Sequence, residues 1–567
     1  MLFGRLLGQE TEYAIRFSPE RRHPGNDVIY DAIAGAIAAR VKTEPGFYPE
    51  RPQIFIENGG AFHYEYLPYC AEGGLIEGAT PECRGPAQLL LYQRAQENLL
   101  SRAVSDAERT LRSSGFPGKL GLLKNCRDAE DHVYGAQESF QSTIATGFGL
   151  ALYRLILAGL LPLLAATVVL GWVLFIALAV LVLGAAILST VAIALPPFRK
   201  WSLIARLVSR EDRSLENALG RFLYALSYLV TLPFIASFSL LLRLLGFRRV
   251  RRLATAFLVS RPVISGAGSV TSGGEFVLSE KAHAIRRLLR FSISPNDRAI
   301  FDVGNLMKPA LAAAHFHVAP MIALFRREQR LQLGLADSSM LQEAEFLKAG
   351  ATALVLEMVE AGALDDAPRL KRPIRALHAL ASDPNLQTEV ATDRGPMTAL
   401  QIQRFYLERA RAFLRDAKAT SIEALQVTEL WREVLGALER REMSALVGRI
   451  DWVTKRYLLE TCGDPRDKAL LKTIDLRYHE LAEGYAARLE RSGCARRLVE
   501  ETEIARATRF PPEGTPAFTR GRFIRGREPS LSPVRISWES ARIGGRLHGR
   551  VVRFPEDGAD PTRDGDS

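Results

Sequence analysis

The sequence predicts an α+β protein with a transmembrane helical hairpin spliced into it. Three observations carry this expectation. Short alternating segments bounded by Gly, Asn and Pro cluster before residue 140, helical apolar stripes dominate after residue 340, and between them Leu155 to Phe198 holds no charged side chain.

At 567 residues the chain is long for one hydrophobic core, so several domains are expected. The formal net charge of +11 is unevenly spread. Arg199, Lys200, Arg206, Arg210, Arg213, Arg243, Arg248, Arg249, Arg251 and Arg252 crowd around the most apolar segments, which points to anionic lipid as a partner. No docking motif or basic-aromatic interleaving supports nucleic acid. Cys70, Cys83, Cys126, Cys462 and Cys494 form an odd set without CxxC spacing, which argues against a zinc site or a disulfide framework and for a reducing compartment. The opening MLFGRLLGQETEY is too short in apolar residues for a secretory signal, so targeting is expected from inside the chain.

The first strand is expected over 6–15, LLGQETEYAI, where Glu10 and Glu12 point to one face. Two such carboxylates repel unless a cation lies between them, and magnesium with its hard oxygen ligands suits that role. A hairpin follows at IFIENGGAFHYEY, with Asn58-Gly59-Gly60 as its turn and His63 and Glu65 sharing a face. Glu77 and Glu82 come soon after, giving an acid density compatible with a two-metal nucleotide site. A helix is expected at about 86–113, then a strand ending at Lys124 and Asn125, with Glu138 beyond.

The uncharged run is roughly twice the ~20 residues needed to cross a bilayer. Two helices at about 155–175 and 177–197, turning near Gly171 and Trp172, satisfy it. The stretch 222–242, broken by Pro233, then re-enters or lies at the interface. One long crossing near 166–189 paired with one at 222–242 satisfies the same parity. Either arrangement leaves the flanking soluble parts on one side, and in the first the basic flanks at 199–213 and 243–252 make that the cytoplasmic side of the inner membrane, as expected of a multi-pass protein. Later helices are expected over 341–361, 397–417 and 422–449, with Trp431 and Leu435 facing the core, and residues 554–567 read as a disordered acidic tail.

An ordered series of motifs resembles the Pup ligase and depupylase family, relatives in fold of glutamine synthetase. Gly8-Gln9-Glu10-Thr11-Glu12-Tyr13, Asn58-Gly59, Ala79-Thr80-Pro81-Glu82-Cys83, Lys124-Asn125 and Tyr134-Gly135 stand before the insertion. Phe257-Leu258-Val259-Ser260-Arg261, Gly266-Ala267-Gly268, Leu278-Ser279, Asp337-Ser338, Leu347-Lys348-Ala349-Gly350, Ile450-Asp451-Trp452, Asp475-Leu476-Arg477-Tyr478-His479 and Arg520-Gly521 follow it. The resemblance covers roughly 5–140 and 255–525.

It implies a glutamine synthetase-like antiparallel sheet cradle, with 1–142 and 255–490 as two parts of a catalytic domain, 143–254 as the membrane insertion and 491–553 as a small C-terminal domain. It further implies ATP and Mg2+ as cofactors, with Glu10, Glu12, Glu77 and Glu138 as metal-binding residues, Lys124 and Arg520 at the nucleotide, and Glu65 as the catalytic base. The implied partners are Pup or another small protein modifier and a lysine-bearing target protein. Ligase and hydrolase both remain open, since the interval before Asn58 resembles the ligase while Ser382-Asp383-Pro384 resembles the depupylase. Departures also stand out. Gln137-Glu138-Ser139 replaces H-E-N, Val303-Gly304-Asn305-Leu306-Met307-Lys308 replaces T-R-D-E-P-H, and Gln332 stands where the family has histidine. These losses make a non-catalytic binding or scaffold protein the alternative expectation. A transporter is disfavoured because the apolar segments carry no ionisable residue apart from Arg243 near one end.

Overall fold

A computed structural model describes residues 2–47, 52–67, 73–194, 213–291, 298–314, 319–416, 421–528, 532–545 and 549–555. The chain divides into two compact units, one made of 1–142, 249–302 and 330–567, the other of 143–248 and 303–329.

The first unit is built on a sheet of eleven described strands. In chain order these include β1 (Leu6–Pro19), β2 (Thr43–Pro45), β3 (Gln53–Ile56), β4 (Ala61–Tyr66), β5 (Gly74–Ala79), β6 (Cys83–Arg84), β7 (Gly118–Leu123) and β8 (Gln137–Thr143). A separate two-stranded sheet holds β9 (Ser269–Val270) and β10 (Phe276–Val277), and the large sheet is completed by β11 (Ile285–Arg290), β12 (Arg298–Asp302) and β13 (Glu328–Leu333). The order is β11-β12-β13-β8-β1-β5-β4-β3-β2, with β6 and β7 also pairing to β1. The expectation of an antiparallel sheet needs correction at one edge, where β11 and β12 run parallel.

Period-two chemistry sets the faces. Along β1, Leu7, Gln9, Thr11 and Tyr13 are buried while Gly8, Glu10 and Glu12 stand on the more open side. The inward face packs on helices Asn26–Ala38 and Gly85–Ser113, through Tyr13, Phe62, Ile76, Ile33, Leu99 and Leu100 among others. Further helices lie at Gln342–Ala361, Ala399–Asp416 and Ile422–Glu439, close to the ranges the apolar stripes predict, and Trp431 and Leu435 are fully buried as expected.

The C-terminal strands do not make an independent core. Val534, Ile536, Ala541 and Phe554 pack with Phe55 and Ala61 of the large sheet, so the small domain expected at 491–553 belongs to the first unit.

The second unit contains helices Gly147–Ala194 and Arg213–Leu244, packed against each other. The turn expected near Gly171 and Trp172 is absent. One continuous helix replaces the two helices placed at 155–175 and 177–197, and Trp172 stacks edge-on against Phe175 along it. A single glycine costs a helix only about 1 kcal/mol, too little to break a run of helix-forming residues around it. The second long apolar helix therefore comes from the 222–242 stretch, as in the alternative pairing. Pro233 is accommodated within it, and Thr231 Oγ1 donates to the Ser227 carbonyl at 2.9 Å in the turn before. Segment 303–329 also joins this unit: Ile144 N donates to Arg327 O at 2.9 Å and Arg154 Nε to Phe325 O at 2.8 Å. Arg199, Lys200, Arg206, Arg210, His315, His317 and the tail beyond 555 lie outside the described residues.

Candidate active site

Cross-strand register assembles the site. Glu12 stands opposite Glu77 between β1 and β5, and His63 stands opposite the same Glu77 between β4 and β5. Residues directly opposed share a face, so Glu12, Glu77 and His63 form one row. Glu10 lies two residues before Glu12 and Glu65 two after His63, hence on that same face. Glu10, Glu12, Glu65 and Glu77, spread along the sequence, thus meet on one sheet surface.

His63 Nε2 lies 3.1 Å from Glu77 Oε2 and 3.7 Å from Glu65 Oε2. Burial alone would depress the imidazole, but Glu77 and Glu65 outweigh it and lift its pKa to about 10. His63 is therefore a cation held between two carboxylates. Glu12 shows the opposite imbalance: burial first, and then the Glu77 charge, raise its carboxyl to about 7, although Gly135 N donates to its Oε2 at 2.7 Å. Gly135 belongs to the Tyr134-Gly135 motif and takes a positive φ of 96°. On the other side of β1, Arg330 Nη2 donates to Glu10 Oε1 at 2.6 Å and its Nε to Ser139 Oγ at 2.9 Å, while Gln332 Nε2 reaches Glu10 Oε2 at 3.2 Å.

Three expected site residues are elsewhere. Glu138 pairs in register with Gln9, on the buried face, and its carboxylate meets Arg261 Nη1 at 2.7 Å; it is not on the acidic surface. Lys124 is 0 % exposed, and its ammonium is taken by Glu97 at 2.6 Å, Glu345 at 2.9 Å and the Ser339 carbonyl at 2.6 Å, leaving no N–H for a phosphate. Arg520 is also fully buried. It donates to the Gly59 carbonyl from Nε at 2.9 Å and Nη2 at 2.7 Å, to the Trp538 carbonyl at 2.7 Å and to both oxygens of Glu82, and it stacks on Trp538. All five guanidinium N–H groups are thereby spent, so Arg520 positions the β3–β4 turn and Glu82 rather than touching nucleotide. Gly59 needs its glycine there, for its φ is 87° and an added Cβ would sit 2.7 Å from Ala517 O.

Arg330 is the functional candidate that sequence reasoning passed over. It shares a strand face with Gln332 along β13, and that parity with its charge was the available signal. Asp302, an acid close by in sequence on β12, pairs with Arg290 at 3.2 Å.

A second cluster, Glu280, Asp475 and His479, is fully buried and already filled: Lys455 Nζ lies 2.7 Å from Asp475 Oδ1 and 2.7 Å from His479 Nε2, and donates to Gly268 O at 2.6 Å. Burial, with Asp337 and Asp475, raises the Glu280 carboxyl to about 8 against the pull of Lys455. A carboxyl raised in the folded state contributes stability that is complete below its unfolded pKa, near 4.3, and is lost as pH climbs through 8. Thermal denaturation of wild type and Glu280→Gln from pH 5 to pH 9 is expected to show the wild type losing ground steadily to the variant. A constant difference across that range rejects the assignment.

Comparisons with known proteins show the family and the fold. The sequence model described as Pup-ligase protein matches residues 5–542. The chain belongs to the Pup-ligase protein family. The Pup–protein ligase of Acidimicrobium ferrooxidans is 25 % identical over 558 residues, covering 97 % of this chain and 94 % of that protein. The enzyme of the same name from Jonesia denitrificans is 24 % identical with the same coverage. Among solved structures, the complex of the prokaryotic ubiquitin-like protein Pup with its ligase PafA matches with a TM-score of 0.66 at 21 % identity, over 98 % of this chain and 90 % of that one. PafA in complex with ADP matches with a TM-score of 0.59 at 21 % identity, over 95 % of each chain. The Pup ligase fold thus holds across the chain.

Most family motifs here serve packing. Asp337 accepts from Ala267 N, Ser279 Oγ and the amides of Glu280 and Lys281, and Lys348 Nζ donates to Asp337 O at 2.9 Å. Buried polar groups so connected specify one arrangement of helices around the sheet.

Proposed function

We propose that this chain is a membrane-anchored ligase of the Pup ligase type, joining a glutamate side-chain carboxyl of a small Pup-like protein modifier to a lysine amine of a target protein at the expense of ATP. The observation that carries this is the convergence of Glu10, Glu12, Glu77, Glu65, His63 and Arg330 on one open sheet face. The relatives' shared name favours ligation over depupylation.

The residues fit a magnesium-bound nucleotide. Glu12, raised to about 7 beside Glu77, marks a place short of positive charge, and the donor oxygens are hard. Glu10, Glu12 and Glu77 would hold the metal, which when bound neutralises charge on the transferring phosphoryl group. Arg330 is placed to offer its guanidinium to the same developing charge, at the cost of its Glu10 contact. Glu65, with its side chain 39 % exposed, accepts at its carboxylate the proton shed by the attacking lysine amine. His63, charged and set between Glu65 and Glu77, holds the Glu65 carboxylate in place on the face.

Nucleotide binding by the detergent-solubilised protein tests the reading. Magnesium-dependent ATP affinity is expected, falling roughly 100-fold in Glu77→Ala; no affinity, or none lost in the variant, rejects it. A second reading rests on the ion pairs themselves. Arg330 on Glu10 and His63 on Glu77 already balance two carboxylates, which favours a scaffold that binds a modifier without turnover. Nucleotide binding without any conjugation of a Pup-like modifier in the wild type would select it.

The anchor is argued from helices Gly147–Ala194 and Arg213–Leu244. Both contain stretches long and apolar enough to cross a membrane, and little of either stretch is buried. Val169, Phe175, Val180 and Leu183 present their side chains outward, an apolar surface far larger than soluble proteins leave in water. The basic residues around 243–252 favour contact with anionic lipid, and the free cysteines favour a reducing compartment, hence the cytoplasmic side of the inner membrane for the catalytic face. The protein is expected to stay in the membrane pellet after extraction at alkaline pH; release into the supernatant rejects the anchor.

A further inference from the structure

Apart from the acidic face, the first unit carries a cleft of about 790 Å³ between helix Gly85–Ser113, helix Glu501–Ala507 and helix Pro516–Gly526. Its floor is aromatic, with Tyr92, Phe510 and Phe518, and its cations are Arg506, Arg522 and Arg525. Phe518, Arg522 and Arg525 recur at helical spacing, so one face of the last helix lines the cleft while Arg520 turns inward to Gly59 and Glu82. Arg506 and Arg525 both lie over the Phe510 ring, at 5.7 Å and 3.8 Å, which orders the guanidinium groups, and Arg525 Nε also lies 3.9 Å from Glu57 Oε2. Glu503 and Glu513 also line the cleft, but Glu503 is turned to the helix start, where its Oε2 accepts from Glu500 N at 3.1 Å.

We propose that this cleft is an acidic-peptide site and that its occupant is the chain's own segment 556–567. Three observations select that occupant. The segment EDGADPTRDGDS holds Glu556, Asp557, Asp560, Asp564 and Asp566 against Arg563 alone, a strong acidic run in a chain of net charge +11. Phe554, two residues before the segment, is pinned to the helix that lines the cleft but away from the cleft-lining residues, because Phe554 N donates to Glu539 O at 2.8 Å and its ring lies 5.9 Å from Phe523. From there the segment has only to round one helix, about 10–12 Å across, and twelve residues reach up to about 40 Å when extended. Acid side chains near three arginines on an aromatic floor gain charge-assisted hydrogen bonds that bulk water weakens less than at an open surface. This inference stands apart from the ligase reading and survives its failure.

The test is a fluorescent peptide of sequence 555–567, titrated by anisotropy against the full chain and against a chain ending at Pro555. Binding to the shortened chain is expected to be at least tenfold tighter than to the full chain, weakened by 300 mM salt, and lost on Arg506→Gln combined with Arg522→Gln. Equal binding to both chains overturns the proposal, as does binding indifferent to the arginine substitutions. Concentration-dependent pairing of the full chain that the shortened chain lacks assigns the segment to a second copy's cleft and also overturns it. Should the substituted chain fail to fold, hydrogen exchange decides: amides of 501–507 and 516–526 are expected to exchange faster in the shortened chain, and unchanged rates overturn the proposal.

Discussion

Replacing Glu65 by Gln is expected to abolish conjugation while leaving ATP binding within about twofold. The amide keeps the size and the contact with His63 but cannot accept a proton from the attacking amine, and general-base loss costs 10²–10⁴-fold in rate. Nucleotide affinity is spared because the groups assigned to the cation are Glu10, Glu12 and Glu77, whereas Glu65, in register with Leu75 and within 4.8 Å of Glu77, is not among them. Single-turnover measurement of isopeptide formation, beside a parallel ATP titration, separates the two quantities. Retained turnover in Glu65→Gln removes the base from its assigned role, whereas loss of both binding and turnover shows that the carboxylate belongs to the metal.

Lys124→Met is expected to strike stability instead of chemistry. Burial alone would raise Glu345, but Lys124 and Lys348 outweigh it and hold its carboxyl down at about 2. Removing Lys124 takes away the cation that bridges Glu97 and Glu345 inside the protein, leaving Glu97 paired with Arg94 at 2.9 Å and Glu345 with Lys348 at 3.2 Å. Breaking a buried pair in this way costs about 3–5 kcal/mol, equivalent in a unit of this size to a fall in melting temperature on the order of 3–6 °C. Adding Glu97→Gln is expected to recover part of the loss, since it removes one stranded charge. If Lys124→Met melted like the wild type yet bound ATP more weakly, the buried assignment would be wrong and a phosphate contact right.

The acidic row was legible in the sequence because alternation fixes a face: Glu10 and Glu12 stand against Leu7, Thr11 and Tyr13, and His63 and Glu65 against Phe62 and Tyr64. The same parity argues against two of the residues that the family resemblance placed at the site. Lys124 continues Leu120 and Leu122, and Glu138 shares its side with Phe140, all of them core-facing. Charge made these positions look like site residues, yet the strand pattern around them points inward. The partners that make such burial tolerable, Glu345 and Arg261, lie more than a hundred residues away and no local pattern announces them. Arg520 was hidden for the same reason, and Arg330 lay in a segment whose departures from the family drew attention to what was missing. In the apolar insertion, composition revealed helices but not where one stops, since Gly171 without a polar neighbour is a weak break.

The clamp that Arg520 places on Glu82 spans 438 residues of sequence, and the Lys124–Glu345 tie spans 221. A ribosome adding roughly 5–20 residues per second exposes the amino-terminal strands for tens of seconds before the arginine that locks them emerges. Both long apolar helices appear within that interval. The nascent sheet therefore waits with its edges open while both helices emerge, and it closes only when translation is nearly over.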